Sequence, residues 1–179
     1  MSKTKKIILA GLLLAVLIIF DRFVSIKTLY LQVSFSFLPI ALAAILLGPK
    51  YSCAIATLGD LIGSLLWPFG EYFIGFTIVD AVVGLIFGLC LYNNKTQGEF
   101  FEGKNLIIRL SIACSLTLWI VELPIMSLML SLLYGNAFWV VLTGRLATKL
   151  VMFPIEISIL YFLSKYIKTL AQKFLFVEE

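Results

Sequence analysis

Residues 72–92 read YFIGFTIVDAVVGLIFGLCLY, an unbroken apolar run interrupted by one charge, Asp80. A helix needs about 20 mostly apolar residues to cross the hydrocarbon core of a bilayer, and this run has that length. Working outward, comparable segments lie at 6–24, 32–48, 51–67, 106–134 and 138–167. The breaks between them carry their own signals. Gly48-Pro49-Lys50 stops one helix, Trp67-Pro68-Phe69-Gly70-Glu71 separates the next pair, and a tight turn is expected at Tyr134-Gly135-Asn136. The longest connection, 93–105, is polar. The expected fold is an all-α integral membrane protein, a six-transmembrane-helix bundle forming a single domain over 1–179.

Composition agrees with lipid as the main solvent. Of the 179 residues 61% are hydrophobic and 13% charged, and the mean hydropathy is +1.07. A soluble domain of this size cannot bury so much apolar surface, because a large share of any small domain stays exposed. The same figures exclude a disordered chain, a collagen-like chain and a disulfide scaffold.

The basic residues set an orientation. With the N-terminus inside, Lys3, Lys5, Lys6, Lys50, Lys95, Lys104, Arg109, Lys165, Lys168 and Lys173 fall on the inner side, against Arg22 and Lys27 outside. The positive-inside rule therefore places both termini in the cytoplasm. The run that follows Lys6 ends at Asp21-Arg22 without a small-residue cleavage site, so it is expected to be a retained first membrane helix rather than a signal peptide. Cys53, Cys90 and Cys114 sit in apolar runs without metal-ligand spacing and read as small apolar fillers.

Ionisable groups inside the segments are costly in lipid and face the bundle interior, a watered cavity or one another. They are Asp60, Asp80, Glu122, Arg145, Lys149 and Glu156. Helical spacing puts Arg145, Lys149, Met152 and Glu156 on one stripe of the last segment, Asp60, Ser64 and Trp67 on one of the third, and Phe73, Thr77, Asp80 and Gly84 on one of the fourth. Glu122 precedes Pro124, where a kink is expected. Counting along each helix, Arg145, Lys149, Asp80 and Glu122 lie towards the outside, Asp60 near the middle and Glu156 deeper. Trp67, Phe69, Tyr72, Phe73 and Phe76 gather at the outer surface, as walls of a cavity or as an interfacial belt. The alternative to a ligand site is structural pairing, Arg145 with Glu122 and Lys149 with Asp60 or Asp80. Two bases cannot pair one-to-one with four acids.

Small residues four apart recur at Gly11 and Ala15, Gly59 and Gly63, and Gly84 and Gly88. Such spacing lets helix backbones approach, either within the bundle or against another membrane subunit. For the second role Gly11 and Ala15 on the first helix are favoured.

Enzyme chemistry is not evident. The chain has no His, and neither a GxSxG elbow nor a GxxxxGK[ST] phosphate loop is present. Nothing calls for a metal or cofactor. Without an internal repeat, six spans are few for a stand-alone secondary carrier, which points to a subunit of a larger machine.

The run DLIGSLLWPFGEYFIGFT at 60–77, together with Phe37-Leu38-Pro39-Ile40-Ala41-Leu42, Leu47-Gly48-Pro49 and the stretches Gly144–Lys149 and Phe153–Glu156, resembles substrate-binding S components of energy-coupling factor (ECF) vitamin transporters, the folate-specific branch above all. The resemblance implies a bacterial plasma-membrane subunit that captures folate from outside. It would work with a membrane coupling subunit, docked on the face of Gly11 and Ala15, and with two cytoplasmic ATPases. Folate chemistry then suggests roles. Arg145 and Lys149, with Arg22 as a second site, suit the dianionic glutamate tail. Asp80, Glu122 or Asp60 suits the donor edge of the pterin, and the five aromatics suit its faces. Riboflavin, thiamine or biotin in the same family is the nearest alternative, and a proton- or cation-coupled carrier using Asp60, Glu122 and Glu156 the next.

Overall fold

The computed structural model describes residues 3–27, 32–68, 71–92 and 104–175, and side chains over 3–25, 34–68, 71–92 and 105–163. The connection expected at 93–105 falls mostly outside the described residues. The helices are α1 (Lys3–Arg22), α2 (Phe37–Leu47), α3 (Pro49–Leu66), α4 (Ile74–Leu91), α5 (Lys104–Leu116), a π-helical segment (Thr117–Ile125), α6 (Met126–Tyr134) and α7 (Phe138–Leu175). Strands β1 (Ile26–Lys27) and β2 (Gln32–Val33) pair antiparallel between α1 and α2, so among the described residues the regular elements are helical but for this two-residue ladder. Because α5, the π segment and α6 run on without a break, the described helices form six rods, one for each expected segment.

Two boundaries differ from expectation by five residues or more. The second rod begins at Phe37 and not at 32. The Ser34 hydroxyl accepts from the Ser36 backbone N–H (3.1 Å) and donates to the Ser36 hydroxyl (2.6 Å), a local bond set that competes with helix formation. The last rod continues past 167 to Leu175. Its 38 residues span about 57 Å at 1.5 Å each, well beyond the roughly 30 Å hydrocarbon thickness. Hydropathy marks where a helix leaves lipid, not where it ends.

Gly48 explains how a short α2 adjoins α3. Its φ of 92° is open to glycine and strained for other residues. The residue ends α2 and precedes Pro49 at the first turn of α3, where a missing N–H costs nothing. The eleven-residue α2 is the core of the bundle. Phe37, Ile40, Ala41, Ala43, Ala44, Ile45 and Leu47 are buried, and α2 packs against α1, α3, α4 and α7. Outside this core the surface is apolar: Leu89, Leu132, Trp139 and Phe162 are each more than 60% exposed. A soluble monomer rarely carries so broad an apolar surface, and lipid is its solvent. Among the described residues three helices are long and apolar enough to cross a membrane, Ile74–Leu91, Asn105–Tyr134 and Phe138–Leu163.

Two of the three small-residue motifs are spent inside the bundle. Gly59 and Gly63 on α3 meet Leu17 and Arg22 of α1, and Gly84 and Gly88 on α4 meet the backbone of α3 at Ser52, Cys53 and Pro49. A Cβ on Gly88 would collide with the Pro49 Cα and Cβ, atoms that cannot rotate away. Gly88→Ala is therefore expected to destabilise. The collision costs about 1–3 kcal/mol as overpacking, which outweighs the roughly 1 kcal/mol helix-propensity gain. A lowered melting temperature in detergent, followed by tryptophan fluorescence, is the check; a raised one would mean that α3 and α4 separate freely. Gly11 and Ala15 behave differently. Both are exposed on α1, and among the described residues nothing lies within 4 Å of a Cβ placed on Gly11.

Candidate functional site

Two polar clusters cross the bundle. The first ties the end of α1 to α3 and α4. Asp60 and Ser64 are one turn apart on α3, and the Ser64 hydroxyl donates to Asp60 Oδ1 (3.1 Å). Arg22 Nη2 reaches across from α1 to Asp60 Oδ1 (3.2 Å) and to Ser64 Oγ (2.9 Å), while its Nε faces Asp21 Oδ2 at 3.0 Å. From α4, Thr77 Oγ1 donates to Asp60 Oδ2 (2.7 Å). A hydroxyl has one proton to give, so the Tyr72 hydroxyl, 2.8 Å away, is the donor to Thr77. Asp60 thus gathers three donors, and the chain of bonds from Arg22 to Tyr72 ties α1, α3 and α4 together.

The second cluster joins the π segment to α7. Pro124 lies inside that segment and has no N–H to donate. Pro124, where a kink is expected, lies within nine residues of wider helix, a form that occurs frequently at functional sites. Arg145 Nη2 donates to the Glu122 carbonyl oxygen (3.3 Å) and to its carboxylate Oε2 (3.5 Å). Lys149, one turn further along α7, puts Nζ 2.5 Å from the same Oε2. The side chains of Arg145 and Lys149 are 6% and 14% exposed, that of Glu122 31%.

Of the pairings weighed from sequence, Arg145 with Glu122 is present. Lys149 with Asp60 or Asp80 is corrected: Lys149 joins Glu122 instead. The reason is which helices touch. α7 packs against the π segment carrying Glu122, whereas Asp60 is engaged from α1 and α4. Asp80 stands half-buried on α4, one turn from Thr77, and Glu156 half-buried on α7 beyond Lys149.

The aromatics divide. Phe73 and Phe76 pack edge to face (centroids 5.8 Å apart), and Tyr72 holds Thr77. Trp67 pairs edge-on with Phe23 at 5.4 Å, both substantially exposed. Phe69 lies outside the described residues. Ser64, Thr77 and Phe23 were not singled out from sequence as site residues. The spacing of four between Asp60 and Ser64 was the available signal for the first; for Phe23 only its position next to Arg22 spoke.

The chemistry of this inventory is recognition. Two cations converge on one carboxylate oxygen. Among the described residues no group of three or more His, Cys, Asp or Glu has the arrangement of a metal site.

Comparison with known proteins adds to this. The family model described as ECF-type riboflavin transporter, S component, matches residues 1–169. Two similar relatives are named Folate transporter FolT. The one from Clostridium novyi (strain NT) is 29% identical over 90% of this chain and 88% of its own length. The one from Leuconostoc mesenteroides subsp. mesenteroides is 32% identical over 89% and 84%. A crystal structure of FolT bound with folic acid superposes with a TM-score of 0.80 at 30% identity, covering 91% of this chain and 94% of that one.

Proposed function

The chain belongs to the ECF-type riboflavin transporter S component family, and we propose that it binds folate for an importer powered by partner ATPases. The family is one of transporter subunits and not of enzymes, and the chain is a membrane protein. The family description names riboflavin, while both relatives and the solved structure name folate or FolT. We favour folate. Riboflavin ends in a neutral polyol, which brings no charge to the paired cations of α7. Folate ends in a dianion, and Arg and Lys are suited to carboxylates. The observation that carries this reading is the convergence of Arg145 and Lys149 on a single carboxylate.

In this reading Arg145 and Lys149 receive the glutamate tail, and Tyr72, Phe73 and Phe76 flank the pterin with Trp67 at the rim. Asp80, half-buried on α4, accepts from the pterin edge, while both oxygens of Asp60 serve donors within the bundle. Arg22, one of those donors, holds the helices and does not hold the tail. The six rods form one bundle in the bacterial plasma membrane with both termini in the cytoplasm, as one domain over 1–179. Gly11 and Ala15 form the docking face for the membrane coupling subunit, which brings two ATPases.

The test is direct binding. The purified chain, titrated with folic acid and separately with riboflavin while tryptophan emission is followed, is expected to saturate with folic acid alone. Saturation with riboflavin and silence with folic acid would overturn the ligand assignment and leave the family untouched.

A further inference from the structure

We propose that Glu122 is an internal counter-anion: it occupies the seat of the ligand's carboxylate in the empty protein and is displaced from Lys149 and Arg145 when the ligand arrives. This deepens the folate reading and rests on it.

Three observations carry the inference. First, a single oxygen, Glu122 Oε2, faces both cations, Lys149 Nζ at 2.5 Å and Arg145 Nη2 at 3.5 Å. That convergence makes the two cations share one carboxylate oxygen. Second, Glu122 is the most open of the three side chains, 31% exposed against 14% and 6%. An anion approaching the buried cations therefore meets Glu122 first and must move it. Third, Arg145 also holds the backbone carbonyl of Glu122 at 3.3 Å. The guanidinium thus stays anchored to the π segment when the carboxylate swings away, so displacement need not unravel the helix contact.

The consequence is selectivity by charge. Glu122 Oε2 already serves both cations. A ligand whose carboxylates do not reach them leaves Glu122 in place; a tail carboxylate that reaches Lys149 or Arg145 displaces it. The tethered carboxylate therefore holds affinity for the dianion below its ceiling, and its return to Lys149 supplies a route to release. A merely structural ion pair has no such bias between ligands, because breaking it weakens every ligand alike.

The experiment compares folic acid, whose tail carries two carboxylates, with pteroic acid, which shares the pterin and benzoate and lacks the glutamate. Dissociation constants are measured for the wild type, Glu122→Gln, Glu122→Asp and Lys149→Gln. Removing the competing charge is expected to tighten folic acid by about tenfold, the value of a charge-assisted contact, and to tighten pteroic acid by less. The ratio of the pteroic to the folic constant rises. Lys149→Gln is expected to lower that ratio. Glu122→Asp keeps the charge in the bundle and draws the carboxylate back by one methylene. It is expected to raise the ratio by a smaller factor, and it decides the matter if Glu122→Gln does not fold. Weaker folic acid binding in a folded Glu122 variant, or an unchanged ratio, would overturn the inference while the wild type still bound folic acid. Absence of folic acid and pteroic acid binding in the wild type would overturn the folate reading itself, and this inference with it.

Discussion

Asp60→Ala is expected to be the most destabilising single substitution in the polar part of the bundle, with a loss of about 3 kcal/mol. Breaking a buried ion pair by removing one partner typically costs about 3–5 kcal/mol, because the other charge stays buried without compensation. Here the stranded group is Arg22, whose side chain is 9% exposed. The lower end applies because Asp21 still faces Arg22 Nε at 3.0 Å. The loss spreads further, since Ser64 and Thr77 both give their protons to Asp60 and the Tyr72 hydroxyl rests on Thr77. For a chain of this length a melting point falls roughly 2–4 °C per kcal/mol, so a drop of about 6–12 °C is expected in detergent.

A double substitution separates the causes. Arg22→Met added to Asp60→Ala removes the stranded charge, and part of the stability is expected to return, as coupling within one network requires. The same pair of variants tests the role of Asp60. If it serves only the bundle, the folded fraction of Asp60→Ala binds folic acid close to wild type. An unchanged melting point together with lost folic acid binding would instead make Asp60 a ligand contact.

The same network marks how far the sequence could be read. The relation of Asp60 to Ser64, or of Arg145 to Lys149, lies along one helix, and a spacing of four reveals it. Gly48-Pro49 likewise announced the end of α2, since glycine and proline act through their own backbone. What stayed hidden is what depends on two helices at once. That Arg22 rather than Lys149 meets Asp60 is decided by the contact of α1 with α3, which Gly59 and Gly63 permit by offering no side chain to Leu17 and Arg22. That Lys149 meets Glu122 depends on how the π segment turns the Glu122 backbone towards α7. The sequence showed Pro124 and hence a disturbance, but a kink and a widened helix expose different carbonyls. The early extent assigned to α2 failed for another reason. Val33 and Phe35 are apolar enough for a helix, and the hydroxyl bonding of Ser34 and Ser36 prevailed locally.

Ala15→Trp is expected to abolish ATP-driven folate uptake by the assembled transporter while leaving folic acid binding by this subunit within about twofold, since surface changes away from a site seldom move its energetics. The small residues at Gly59, Gly63, Gly84 and Gly88 have occupants, namely α1 and the backbone of α3. Gly11 and Ala15 have the same spacing and lie exposed beside Ile8, Leu12 and Ile19 on α1. Without a difference in hydrophobicity between lipid and protein, helices associate in a bilayer through close van der Waals packing, which small residues permit. A coupling helix seated on this stripe would be held off by the indole, and loss of a central contact of that kind costs about tenfold or more in association. Leu89→Trp is the control, because Leu89 is 66% exposed on α4 and belongs to no small-residue stripe. Uptake into proteoliposomes containing the full complex, measured beside binding by the isolated subunit, gives both readouts. Equal loss of uptake in both variants would mean that the whole surface is sensitive and would remove the docking role from α1. Loss of binding in Ala15→Trp would mean that α1 supports the ligand site through Leu13 and Leu17, the buried residues on its other face.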